Sequence, residues 1–114
     1  MTLPLQSFTK EVDIDFLVFV ERYATDLLKW DILTFFGHNP DFLGETSQIA
    51  EHIGRSNLTI RPELGNLALL GILKQTQTED KPLYQLTQEP LLRQMVLKLA
   101  DSQLSAASTD QPTP

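Results

Sequence analysis

Residues 46–87 read TSQIAEHIGRSNLTIRPELGNLALLGILKQTQTEDKPLYQLT. Ile49 and Ile53 lie four apart with Ala50 beside them, so a short helix over 47–53 turns one apolar face inward. Thr46 stands where a helix cap is wanted. Gly54 follows at the helix end, where a left-handed residue turns the chain sharply. Ile60, Leu64 and Leu67 then recur at i, i+4 and i+7, Leu70 continues the face, and Gly71 ends it. Residues 72–76 and 83–87 read as paired strands, joined by the polar turn Thr78-Glu79-Asp80-Lys81-Pro82. Two short helices around a glycine turn, then a two-stranded ribbon, leave little spare chain.

Upstream, an apolar helical pattern starts near Asp13 and runs through Ile14, Leu17 and Val18 to Leu27, Leu28, Ile32, Leu33 and Phe36. Asp13 and Asp15 suit a helix start. The drift of the apolar face favours two segments with a break near Ala24-Thr25-Asp26, and Gly37-His38-Asn39-Pro40 ends the region. Residues 14–36 are too apolar for one buried stripe. Either the rest of the small domain buries them or part of them packs on a second copy. Residues 41–46 read as a loop. Downstream, Thr87 can cap a last helix over 88–104, with Glu89 and Pro90 in its first turn and Leu92, Met95, Val96 and Leu99 on one face. Residues 1–12 read as a flexible lead and 105–114 as a disordered tail with little to bury. The expected organisation is one domain over 13–104, with a helix pair at 47–70, a ribbon at 72–87 and a closing helix at 88–104.

At 114 residues, 41% hydrophobic and 21% charged, the chain fits one globular domain large enough to bury a core unaided. It has no cysteine, so disulfides and thiolate metal sites are excluded. The start, MTLPLQSFTKEVD, lacks the basic residues and long apolar run of a secretory signal. The longest apolar run, Phe16 to Val20, is far short of the roughly 20 residues of a membrane span. These features point to a cytoplasmic protein without a membrane partner. The net charge of −6 is unevenly spread: residues 1–48 carry eight acids and three bases, residues 49–87 four of each, and residues 88–114 three acids and two bases. The acidity therefore sits outside the helix pair and ribbon. A phosphate backbone is repelled by the whole but not by this segment, though no strong basic stripe attracts it.

Ile49-Ala50-Glu51-His52-Ile53-Gly54, then Ser56, Ile60, Leu64, Leu67 and Gly71-Ile72-Leu73, resemble the winged helix-turn-helix regulators of the MarR and ArsR types. The resemblance covers roughly 40 residues in detail and the flanking helices in order and length. It implies a mainly α fold with a small β-hairpin, the wing, and extra helices at both ends. It further implies that the second helix of the pair enters the DNA major groove, that the wing touches phosphates or the minor groove, and that the end helices build a two-fold dimer. Groove-facing positions are then Asn57, Leu58, Thr59, Arg61, Pro62, Gly65 and Asn66, with Lys74 and Lys81 on the wing. The sequence departs from the pattern at Arg55, where an apolar residue is usual, and at Pro62. Proline inside a helix costs about 3 kcal/mol, so a regular helix starting near Pro62 is expected, with Asn57 to Arg61 as an irregular lead. Gly65 adds about 1 kcal/mol of weakness relative to alanine.

The candidate DNA-binding residues are Arg55, Ser56, Asn57, Thr59, Arg61, Asn66, Lys74 and Lys81. Arg61 can bond a guanine edge, or be a surface arginine paired with Glu63 or Glu51. Asn57 and Asn66 can read adenine, though Asn57 equally suits a cap. The candidate dimer residues are Phe16, Phe19, Val20, Tyr23, Leu92, Met95 and Leu99. No nucleophile or paired base stands beside the spaced carboxylates Asp13/Asp15 and Asp26/Asp31, so no enzyme is expected. His38 and His52 without cysteine do not make a metal site, and no glycine-rich phosphate loop is present, so no cofactor is expected. Two functions follow: a dimeric DNA-binding transcriptional regulator, or an acidic protein-interaction or dimerisation module on a winged-helix scaffold that no longer binds DNA.

Overall fold

A computed structural model describes residues 13–110, with side chains as far as residue 102. The expected lead at 1–12 and residues 111–114 of the expected tail lie outside the described residues. Asp13 caps α1 (Ile14–Tyr23) by accepting the Phe16 N–H at 3.0 Å. The chain breaks where the apolar face drifts, and Asp26 caps α2 (Leu27–His38) by accepting the Lys29 N–H at 2.9 Å. Gly37, read from sequence as part of a terminator, instead lies inside α2. A Cβ there would sit 2.5 Å from the Ala100 Cβ and 2.7 Å from the Val96 carbonyl oxygen, so this glycine lets two helices touch.

The helix pair forms as expected, with corrected edges. Helix α3 (Thr46–Ile53) is capped by Glu45 rather than Thr46, because Gln48 reaches back to accept the Glu45 N–H at 2.8 Å. Gly54 then takes φ 71°, and the Arg55 N–H closes the turn on the Ala50 carbonyl at 3.0 Å. Helix α4 (Asn57–Leu69) starts at Asn57, not near Pro62, and Ser56 is its cap, Oγ accepting the Thr59 N–H at 3.2 Å. The proline is tolerated because only the Leu58 carbonyl loses its helical donor, and Leu58 is 77% exposed, where water replaces it. Gly71, at φ 84°, ends the segment.

The wing strands are β2 (Leu73–Gln77) and β3 (Pro82–Leu86), antiparallel with Gln75 opposite Tyr84. A further strand, β1 (Leu43–Gly44), pairs with β3 and corrects the expected loop at 41–46, giving a sheet of order β1-β3-β2. Helix α5 (Pro90–Asp110) starts with Glu89 accepting the Leu92 N–H at 2.9 Å. It runs past residue 104, so the start of the tail expected to be disordered is helical. Serine and alanine extend an anchored helix cheaply once its first turns are docked.

Ile32, Leu33 and Phe36 of α2 are fully buried and meet Ile49, Ile60, Leu64, Leu67, Ile72, Leu86, Val96 and Leu99 in one core. Helix α2 packs on α3, α4 and α5 together, which is why its sequence is apolar on every side. Helix α1 keeps Ile14, Leu17 and Val18 exposed outside that core.

Candidate nucleic-acid interface

The core fixes which side of each short helix faces out. Ile60, Leu64 and Leu67 point inward, so Asn57 and Arg61, one turn apart on α4, are exposed. They border an open cleft of about 450 Å³ between the start of α3 and the wing, together with Ser47, Lys81 and Tyr84. Burial pushes the Tyr84 phenol above its ordinary pKa, and the positive charge of Arg61 works in the opposite direction. The sequence reading had missed Thr46 and Ser47 on this cleft. The signal was there: the first N–H groups of a helix lack intrahelical partners and favour anions.

The other candidates divide. Ser56 and Thr59 satisfy each other, their hydroxyls 2.8 Å apart. Arg55 is tied to Asp31 at 2.5 Å, and Lys81 to Glu45 at 3.4 Å. Asn66 is exposed further along α4. Lys74 lies apart from the cleft, on the opposite margin of α4 beside Gly65 and Leu69. Arg61 does not pair with Glu63 or Glu51; Glu63 takes Lys29 of α2 at 2.6 Å instead. Among the described residues Arg22, Arg61 and Lys74 are the cations without an ion pair. The Lys81–Glu45 pair is 62% and 34% exposed, and such pairs are worth about 0–1 kcal/mol. An arriving phosphate can therefore take Lys81 at little cost.

The candidate dimer residues differ in exposure. Phe19 (4% exposed) and Leu99 (0%) are consumed by the chain's own core. Phe16, Val20, Tyr23, Leu92 and Met95 pack against that core and are only partly open. The outward apolar residues are Ile14, Leu17 and Val18 on α1, between 52% and 66% exposed, with Leu91 of α5 at 61%. Among the described residues no cluster of His, Cys, Asp and Glu is placed to hold a metal ion, and no helix is long and apolar enough to cross a membrane.

No family model and no curated protein matches the chain. Solved structures do. The AntR antimony-specific transcriptional repressor superposes with a TM-score of 0.64 at 15% identity, covering 82% of this chain and 81% of AntR. The fold is a winged helix. The repressor CouR, solved bound to a 23-mer DNA duplex, gives a TM-score of 0.56 at 18% identity, over 99% of this chain and 81% of CouR. NadR in complex with 4-hydroxyphenylacetate gives 0.56 at 14% identity, over 94% of this chain and 77% of NadR. At 14–18% identity the likeness is one of fold.

Proposed function

We propose that this protein is a cytoplasmic DNA-binding transcriptional regulator that works as a homodimer. The observation that carries the proposal is the convergence of Asn57 and an unpaired Arg61 with the wing's Lys81 on one open cleft beside α4. In this reading Arg61 contacts a base edge or phosphate, Lys81 exchanges Glu45 for a phosphate, and the helix start at Thr46 and Ser47 adds N–H donors. Arg55, Ser56, Thr59 and Asn66 flank the same strand of DNA. The neutral charge of residues 49–87 makes this segment repel DNA less than the acidic residues 1–48 do. CouR, of like fold, was captured on DNA, which supports the reading by analogy.

The dimer is assigned to the outer face of α1. Ile14, Leu17 and Val18 are exposed there, and Val18 also lines an apolar groove of about 260 Å³ with Leu91, Leu92 and Met95. A second copy that covers this face brings two α4 helices to one duplex and doubles the few contacts each protomer has. Fluorescence anisotropy with mixed, labelled genomic fragments at low salt tests the function. Saturable binding at protein concentrations on the order of 10 µM supports it; its absence in that range overturns it.

A further inference from the structure

A second groove lies on the other margin of α4 and shares no lining residue with the cleft. Its volume is about 540 Å³, and its walls are Gly65, Leu69 and Gly71 on one side and Leu73, Lys74 and Gln75 of β2 on the other. It is open because Gly65 has no side chain: a Cβ there would meet nothing within 4 Å. Leu69 beside it is 87% exposed and Leu70 42%, an expensive display for a surface with no partner.

Strand β2 is one of the two edge strands of the sheet. The Thr87 N–H donates to the Ile72 carbonyl at 3.0 Å, and Leu73 faces Leu86 in the next register position. Hydrogen-bonded pairs alternate along an antiparallel ladder, so Lys74–Gln85 and Thr76–Leu83 bond inward. Pro82, which has no N–H, falls opposite Gln77, at a non-bonded pair, as this phase requires. The N–H and C=O groups of Leu73, Gln75 and Gln77 therefore point outward from β2, those of Leu73 and Gln75 at the groove itself, without strand partners among the described residues. Lys74 is the only ionisable residue in the lining, and among the described residues it has no ion pair.

The geometry points to a docking site for an extended, acidic peptide segment of a partner protein, added as a strand along β2 with alternate side chains set into the groove over Gly65 and Leu69. The five residues of β2 offer about 17 Å of edge, enough for one strand. A second globular copy needs about 800 Å² per partner, which this narrow groove does not provide. One lone lysine among exposed leucines does not track a phosphate backbone. A carboxylate on the peptide answers Lys74.

The test is to pan a random decapeptide display library on the full chain and map the enriched peptide by amide NMR shifts and anisotropy. The expected peptides alternate apolar and polar residues, carry Asp or Glu, and shift the amides of Gly65, Leu73, Gln75 and Gln77. Gly65→Leu fills the groove from a helical position with open space. Gln75→Pro removes an outward N–H and leaves the ladder intact. Each variant is expected to weaken the peptide by at least about tenfold while melting cooperatively like the parent. Enrichment that is equal on the Gly65→Leu chain, a shift map confined to α1 and α5, or undiminished binding by both variants overturns the proposal. So does a DNA duplex that shifts these same amides, since the groove would then be a nucleic-acid surface. The peptide outcomes do not depend on whether the Arg61 cleft binds DNA, and the β2 amides of Leu73, Gln75 and Gln77 separate the two surfaces.

Discussion

Two glycines inside helices show how far one methyl group depends on its surroundings. At Gly65 an added Cβ meets open space, and the helix gains the propensity difference between glycine and alanine. At Gly37 the same atom would press on the Val96 backbone and the Ala100 Cβ, which cannot swing aside. Overpacking of this kind costs about 1–3 kcal/mol, more than the helix gains. Gly65→Ala is therefore expected to raise unfolding stability by about 0.5–1 kcal/mol, and Gly37→Ala to lower it by about 1–2 kcal/mol. Urea unfolding of the two variants beside the parent checks the signs; equal shifts in one direction would contradict the packing described for α2 against α5. Pro62 teaches a related lesson. Its cost was foreseen from sequence, but where it would be met was not. The lost bond falls on the Leu58 carbonyl, at an exposed turn where water serves, so α4 keeps its first turn and Arg61 stays helical.

Helices α2 and α4 are joined by an ion pair as well as by the core. Lys29 reaches Glu63 at 2.6 Å and Asp26 at 3.1 Å, with its side chain 14% exposed. Glu63 first, and Asp26 after it, hold the Lys29 pKa above its ordinary value while burial opposes them. The stabilisation is complete below the unfolded-state lysine value and is lost as pH rises through the folded one. Burial of the Tyr84 phenol acts in the same sense. Asp26 is held low, chiefly by the Lys29 backbone N–H, so its contribution is present above the ordinary carboxylate value and fades as pH falls. Thermal midpoints should be level from about pH 5 to about pH 9 and fall outside that span. Lys29→Met should make the alkaline fall shallower; an unchanged alkaline limb would show that this pair does not couple the two helices. At this scale most of the fold was legible in sequence. The Ile49/Ala50/Gly54 turn and the Ile60/Leu64/Leu67 face are local signals, and the structure keeps both. Strand β1 was not legible, because two residues acquire strand character only from β3, some forty positions away. Which face of α1 stays exposed was not legible either. Phe16, Phe19, Val20 and Tyr23 and Ile14, Leu17 and Val18 are two apolar faces of one helix, and periodicity alone does not say which of them the core takes. The pairing of Arg55 with Asp31 and of Lys81 with Glu45 was equally hidden, since each joins segments distant in sequence.

As a whole the molecule is acidic, with a net charge of −6, and its α1 carries an outward apolar face. That face predicts the assembly. Leu17 is 52% exposed and outside the core, so Leu17→Glu should leave the fold intact and convert a dimer to a monomer in sedimentation equilibrium. A parent chain that is already monomeric, or a variant that still dimerises, would move the interface elsewhere. Net charge opposes DNA, so the proposed function places binding on Arg61 and Lys81, which share their cleft with Glu45 and Asp80. Arg61 and Lys81 as the phosphate-side cations give a slope of log K against log salt of about −2 per protomer and about −4 for a dimer. The most direct measurement is therefore the salt dependence of DNA binding by the parent and by Arg61→Ala, using one fragment selected from genomic DNA. The expected result is saturable binding by the parent with that shallow slope, weakened about tenfold or more in the variant, with the dimer slope reduced by about 2. No saturable binding by the parent, or the same affinity and slope in both proteins, would contradict a DNA-binding role for this cleft.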